Sequence, residues 1–424
     1  MKILIKNGHV IDPSQNIDSV KDLLINGKKF QGIFSKGKSP SADKTIDAAG
    51  CIVIPGLVDM HTHLREPGYE YKETIKTGTM AAVKGGFTTV CCMPNTDPIN
   101  DTISVTEFII RKALNEGACT VYPIAAITKR EEGEVMTELE ALIKAGSIAF
   151  SDDGKPVMNS LIMRRALEYS KIFDVPVISH CEDLKLSEGG VMNEGIASTL
   201  LGLKGIPKAA EEVMVARDIS LSELTGGKLH IAHVSTEGSV RLIREAKSRG
   251  VNVTAETCPH YFSLTEDSLK GYDTNFKVNP PLRTEKDVSA IKQGIKEGTI
   301  DAIATDHAPH HYDDKNREFD TAAFGISGLE TAFALGLQLV EDKVIDLSTL
   351  IAKMTVAPST IMGISKGTLK KDADSDIAII DTKKMFTVDA GRFLSKGKNS
   401  AFDGWKLKGV VMKTIAMGKV HEWE

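Results

Sequence analysis

Residues 58–68 read VDMHTHLREPG, the end of an apolar run that Pro67 and Gly68 terminate. On a strand, residues i and i+2 face the same side, so His61 and His63 aim two imidazoles at one spot where the run LVDMHTH (57–63) ends. Seven further runs of this kind follow: FTTVCCM (87–93), CTVYPIAAI (119–127), SIAFS (147–151), VPVISHC (175–181), KLHIAHV (228–234), VNVTAET (251–257) and IDAIATD (300–306). They are nearly continuous in apolar and β-rich residues rather than alternating, as strands covered on both faces are. Between them lie helix-length stretches such as EFIIRKALNEG (107–117), ELEALIKAG (138–146), LIMRRALEYSKIF (161–173) and SVRLIREAKSRG (239–250). Several end in Gly after a basic last turn, a helix stop signal. Eight β–α units in series predict an α/β fold, a (β/α)₈ barrel rather than an open doubly wound sheet.

The two ends read differently. Residues 1–51 carry short alternating strands, with Asn26-Gly27 in DLLINGKKF marking a tight hairpin. Short strands return after residue 366 in SDIAIID and in GVVMKTIAMGKVHEW, where Gly418 marks a turn. Neither end holds enough apolar residues for its own core. Residues 1–54 and 366–424 are therefore expected to pair into one small β-sandwich beside a barrel of residues 55–365. The polar stretch HHYDDKNREFD (310–320) reads as a mobile loop after strand eight.

Composition narrows the function. The chain has 424 residues, 42% hydrophobic and 26% charged, with a formal net charge of −5. That is ordinary for a soluble globular protein and gives no basic stripe for nucleic acid. The N-terminal MKILIKNGHV is too short an apolar run for a signal peptide, and no stretch has membrane-spanning length. Cysteines at 51, 91, 92, 119, 181 and 258 form no CxxC pair. They read as free thiols in a reducing cytoplasm.

The polar residues gather at one mouth. His61 and His63 end strand one and Asn95 follows strand two; Asp152 and Asp153 follow strand four, His180 ends strand five, His233 strand six and Asp306 strand eight. Barrel enzymes keep their active sites at that face. Imidazole nitrogen and carboxylate oxygen suit zinc or a similar divalent ion. Six potential ligands exceed the four of one structural site, which suggests a pair of ions with a bridging carboxylate; by residue type either Asp152 or Asp153 can serve. Such a site lowers the pKa of bound water to about 7, and an Asp at the end of strand eight can both ligate and accept the proton. His230, three residues before His233, is expected to face away and pack under a helix. His260 is read as structural, His307 and His311 as flanking residues, and Cys181 as a small buried hydrophobe.

The segments GLVDMHTHLREPG, GGFTTVCCMPNT, FSDDGKPV, ISHCED, HIAHVST, NPPLR and ATDHAPH together resemble the cyclic amidohydrolases, and among them closely the bacterial dihydroorotases. They span the barrel, and GTLKKDADSDIAIID matches that family's return to the sandwich. The resemblance implies His61, His63, Asp153, His180, His233 and Asp306 as ligands of zinc, two ions per subunit, with Asp306 as general acid/base. It implies substrate contacts at His63, Leu64, Arg65, Asn95, Asn279, His310 and the Phe324-Gly325 backbone. It also favours Asp153 over Asp152 as the bridge. Hydantoinases bridge their metals with a carboxylated lysine at that position; here FSDDG stands there and the nearest lysine, Lys155, lies past Gly154.

Arg65 bears on the substrate. A guanidinium is shaped to clamp a carboxylate in two parallel hydrogen bonds. Dihydroorotate carries a ring carboxylate that hydantoin and allantoin lack there, and Asn95 and His310 can complete the clamp. The implied activity is a dihydroorotase that interconverts N-carbamoyl-L-aspartate and L-dihydroorotate in pyrimidine synthesis through a zinc-activated hydroxide. The rivals are an allantoinase or hydantoinase on the same scaffold, and a non-catalytic scaffold for aspartate carbamoyltransferase. Association with that enzyme occurs in the family, and a homodimer is the default assembly.

Overall fold

The computed structural model of the chain describes residues 1–269 and 271–423. Five strands come first: β1 (Lys2–Asp12), β2 (Ile17–Asn26), β3 (Lys29–Phe34), β4 (Lys44–Asp47) and β5 (Ile52–Pro55). The barrel strands follow as β6 (Leu57–Thr62), β7 (Phe87–Cys92), β8 (Thr120–Pro123), β9 (Phe150–Ser151) and β10 (Val177–Ser179). A small parallel pair, β11 (Met192–Asn193) and β12 (Gly205–Ile206), interrupts them before β13 (Leu229–Ile231), β14 (Val253–Thr257) and β15 (Ala302–Ile303). The chain closes with β16 (Ile377–Thr387), β17 (Lys406–Ala416) and β18 (Lys419–Glu422).

Two parallel sheets, β6-β7-β8 and β15-β14-β13-β10-β9, make up the barrel wall. Parallel bridges Ala125↔Phe150 and Thr62↔His307 join their edges, so eight strands close on themselves. Every residue of β6 and β7 is buried, which explains the unbroken apolar runs. The helices lie near their expected positions, for example Ile103–Glu116, Leu139–Ala145 and Glu237–Ser248. Gly146 at φ +114 ends the second of these. Thr236 starts the third by accepting from the Ser239 N–H at 3.2 Å.

The chain ends meet in one sheet of order β18-β17-β16-β5-β1-β2-β3, with β4 alongside β1. Antiparallel pairing of β5 with β16, Ile377 opposite Pro55 and Ile380 opposite Ile52, splices the two ends together. β1 bulges between Ile5 and Gly8, where Asn7 sits at φ +62, and this lets β4 and β5 follow one another along the same edge. Ile5, Val10, Leu23, Ile25, Phe30, Ile377 and Ile415 fill its core. The hairpin falls at Gly27 (φ +57), and Met417-Gly418 turn β17 into β18.

Two expectations need correction. The barrel strands stop short of the segments read from sequence: β13 ends at Ile231 and β15 at Ile303. The apolar composition runs on, but the backbone leaves the sheet, with His233 at φ +35 and Asp306 at φ +47. The stretch 310–320 is also anchored rather than loose. It contains a helical turn, Tyr312–Lys315, and buries both Lys315 and Phe319.

Candidate active site

Six side chains converge at the C-terminal mouth of the barrel, all buried. His61 is on β6, and His63 just beyond its end is fixed by its N–H to the His307 carbonyl at 2.8 Å. Asp153 follows β9, His180 β10, His233 β13 and Asp306 β15. The two oxygens of Asp153 face different partners. Oδ2 lies 3.4 Å from His61 Nε2 and 3.3 Å from His63 Nε2, while Oδ1 lies 3.7 Å from His180 Nδ1 and 3.6 Å from His233 Nε2. Asp306 Oδ1 closes the first group at 3.0 Å from His63 Nε2 and 3.4 Å from His61 Nε2. Asp152 points elsewhere; its carboxylate accepts from the Ile127 and Thr128 N–H groups and the Thr128 hydroxyl.

This donor set fits divalent ions. The ligating atoms of His61, Asp153 and His233 lie within 4.8 Å of one another, as do those of His61, His63 and Asp306. His61 Nε2 and Asp153 Oδ1 are buried without a hydrogen-bond partner among the described residues. Outer partners hold the imidazole protons away from the centre. His61 Nδ1 donates to Glu256 Oε1 at 2.6 Å, His63 Nδ1 to Asn95 Oδ1 at 2.9 Å, and His180 Nε2 to Glu182 Oε2 at 3.0 Å. Each then turns a lone pair inward, the arrangement that orients metal-bound histidines. The electrostatics agree. Burial opposes the charge on Asp153 and Asp306, yet His61 holds both well below the usual carboxylate range. Burial likewise opposes charge on His61, and Asp153, Asp306 and Glu256 push it well above its ordinary value. Buried carboxylates in this number demand positive charge at the centre, which a divalent ion supplies while leaving the imidazoles neutral.

Beside this cradle stands a cationic corner. Arg65, at φ +60 just past β6, donates from Nε to the Pro309 carbonyl at 3.3 Å, and its Nη2 lies 3.4 Å from His310 Nε2. His310 Nε2 donates to the Phe324 carbonyl at 2.8 Å, leaving Nδ1 to face Lys72 Nζ at 3.4 Å. Burial, Arg65 and Lys72 hold its pKa well below the ordinary value, so the ring is neutral. Asn279 donates to Glu182 Oε2 at 2.9 Å, which ties it to the His180 side of the cradle. The Leu64 side chain is part of the core. Gly325 donates its N–H to the Lys277 carbonyl at 2.9 Å.

Sequence reasoning missed Glu256 and Glu182. Glu256 was signalled by being an acid inside an apolar strand, as Asp59 is in β6, and Glu182 by following His180 at i+2. His230 is a correction: it points into the barrel, bonded to Thr254 Oγ1 at 2.8 Å, with Nε2 3.3 Å from Glu256 Oε2. The parity argument fails because β13 ends between His230 and His233. His260 is buried with Nε2 unpartnered among the described residues, so no hydrogen bond from that atom supports its structural reading. His307 lies 3.4 Å from Glu73 Oε2 beneath the mouth, and His311 is half-exposed. Lys155 is exposed.

Comparison with known proteins agrees with this geometry. Residues 50–239 match the family model described as dihydro-orotase-like. The chain is 57% identical over 420 residues to the dihydroorotase of Geobacter metallireducens and 55% identical over 421 residues to that of Syntrophus aciditrophicus, covering 99% of each chain in both cases. Among solved structures, L-hydantoinase from Arthrobacter aurescens superimposes with a TM-score of 0.89 at 24% identity, over 99% of this chain and 95% of that one, which bears on the fold alone. The full-length identity settles the family: the chain belongs to the dihydroorotases.

Proposed function

We propose that this protein catalyses the reversible ring opening of L-dihydroorotate to N-carbamoyl-L-aspartate, with two zinc ions in the cradle described above. The observation that carries the reading is the double aspect of Asp153, one oxygen toward His61 and His63 and the other toward His180 and His233. His61, His63 and Asp306 would hold one ion, His180 and His233 the other, and Asp153 both. Bound there, the ions supply Lewis-acid polarisation of the ring amide carbonyl and acidify water.

The side chains do the rest. Asp306 starts ionised, takes a proton from the water that adds to the carbonyl carbon, and delivers it to the ring nitrogen as the C–N bond breaks. That nitrogen leaves as the ureido NH₂, and the carbonyl carbon becomes a carboxyl group. In the synthetic direction Asp306 removes the ureido proton and returns it to the departing hydroxyl. Arg65 supplies the charge that pairs with the ring carboxylate; neutral His310, Asn95, Asn279 and the Leu64 and Phe324-Gly325 backbone fix the ring around it. The guanidinium beside the cradle, and a bridge built from aspartate rather than lysine, favour this substrate over neutral cyclic ureides.

No described helix is long and apolar enough to cross a membrane. We place the enzyme in the cytoplasm as a homodimer, the commonest closed assembly. The test is metal content measured alongside ring opening of dihydroorotate, in wild type and Asp153→Ala. Two zinc ions per chain with turnover in the wild type, and loss of both metal and turnover in the variant, are expected. Wild-type turnover without bound metal would overturn the reading.

A further inference from the structure

The segment that joins β16 to β17 leaves the sheet and crosses the barrel mouth, where Asn399 is buried. Its Oδ1 accepts from the His310 N–H at 2.9 Å and the Ser327 hydroxyl at 3.1 Å; its Nδ2 donates to the Ala308 carbonyl at 3.2 Å and the Gly325 carbonyl at 3.0 Å. A side-chain amide offers two N–H groups and two acceptor lone pairs, so the whole capacity of Asn399 is engaged. Its partners belong to the two chain segments that flank the His310 ring, and none of them is a residue of the metal cradle.

A second fastener works on the same carbonyl. Lys315 Nζ donates to Gly325 O at 3.1 Å, to Ala323 O at 2.9 Å and to Lys277 O at 3.3 Å, so one ammonium gathers three carbonyls. The fit between the segments is close. A Cβ on Gly325 would lie 2.6 Å from the Ala308 carbonyl oxygen, and one on Gly397 would lie 2.5 Å from Pro309 Cβ.

We infer that Asn399 is a positioning residue for the carboxylate end of the substrate, fixing His310 and the Phe324-Gly325 edge relative to each other from behind. The inference rests on the carboxylate reading of Arg65 and His310 above. Without Asn399, the 308–310 and 325–327 segments keep only their direct bonds, His310 Nε2 to the Phe324 carbonyl at 2.8 Å and the Ala308 N–H to the Ile326 carbonyl at 2.8 Å, and the corner loosens, while the reacting end keeps its geometry. The effect therefore falls on KM and on carboxylate recognition, not on the chemical step. A merely structural asparagine would lower the yield of folded enzyme without changing which ligands it prefers.

The experiment uses the full-length, metal-loaded enzyme as wild type, Asn399→Ala and Arg65→Gln. It reads kcat and KM for dihydroorotate together with the inhibition constants of orotate and of its uncharged carboxamide. In Asn399→Ala we expect KM and the orotate constant to rise about tenfold, which corresponds to about 1.4 kcal/mol, with kcat and the carboxamide constant within about twofold of wild type. A fall in kcat at unchanged KM, or an equal change for both inhibitors, overturns the inference. If Arg65→Gln separates the inhibitors and Asn399→Ala does not, only the positioning role falls. If Arg65→Gln fails to separate them, the carboxylate reading falls and takes this inference with it. Should Asn399→Ala not fold, Asn399→Asp and Lys315→Met are measured in its place: a raised orotate-to-carboxamide ratio supports the positioning role, and an unchanged ratio overturns it. The aspartate keeps the size but sets oxygen against the Ala308 and Gly325 carbonyls.

Discussion

Glu256 is the acid on which two histidines depend. Oε1 accepts from His61 Nδ1 at 2.6 Å, and Oε2 faces His230 Nε2 at 3.3 Å. Burial works against its charge, but His61 and His230 hold its pKa down at about 2, so it is ionised throughout the working range. An ionised acceptor behind an imidazole makes the inward nitrogen a better donor to a cation. Glu256→Gln keeps an oxygen in place and removes the charge. It should weaken zinc binding about ten- to a hundredfold, measured by competition with a chelator, and lower turnover at limiting zinc. Full turnover regained at saturating zinc would show that the residue acts through the metal; unchanged zinc affinity would show that it does not. Asp152 makes the complementary point. Although adjacent to Asp153, it spends its carboxylate on the Ile127 and Thr128 backbone, so neighbours in sequence divide into a structural acid and a candidate ligand.

Among the elements, the segment between β16 and β17 has the widest reach, and one of its anchors is sensitive to pH. Glu330 Oε1 accepts from the Leu394 N–H at 2.6 Å and the Ser395 N–H at 3.3 Å. Burial raises its pKa to about 7, from 4.5 in an unfolded chain. Between those values the folded protein keeps a proton that the unfolded chain has lost. Stability from this group is therefore fully present below pH 4.5, declines as pH rises, and is gone above pH 7. Glu330→Gln keeps the acceptor and cannot ionise, so its thermal midpoint should exceed wild type by more at pH 8 than at pH 5. An equal difference at both values would remove Glu330 from the account. The same segment marks how far the sequence could be read. The eight barrel strands were legible because burial on both faces leaves an unbroken apolar run, and the ligands because they terminate those runs. The ends of β13 and β15 were not, since the positive φ that His233 and Asp306 adopt leaves no local pattern in the sequence. Lys315 reads as solvent-exposed in any local window; three carbonyls from other parts of the chain bury it. Asn399 lies 74 residues beyond Gly325, and no spacing rule joins them.

At the scale of the whole molecule, the sheet made from both ends has a core of its own and also adds residues to the barrel's. Ile380, Phe402, Leu407 and Val411 pack in the same cluster as the barrel residues Val90, Phe150 and Ile243. Thr414 on β17 donates to the Val83 carbonyl at 2.6 Å, and Ser395 donates to buried Glu73 beneath the mouth. A large apolar junction of this kind couples units that would otherwise open separately. The chain carries its own reporters for the question, since its two tryptophans, Trp405 and Trp423, both lie in the C-terminal part. Trp405 stands edge-on to Phe402 at 5.1 Å, and Trp423 lies under Lys84 Nζ at 4.7 Å, at the end of the barrel helix Ile75–Lys84. Tryptophan fluorescence therefore follows the sheet and its seat on the barrel, while circular dichroism at the helical band follows the helices around it. Heated together, the two signals should share one midpoint, the mark of a single cooperative transition. Asn399→Ala should lower that midpoint for both signals alike. A fluorescence change several degrees below the dichroism change would mean that the sheet detaches first; Asn399 would then leave the mouth while the barrel still stood, and KM for dihydroorotate should climb with temperature before kcat fell.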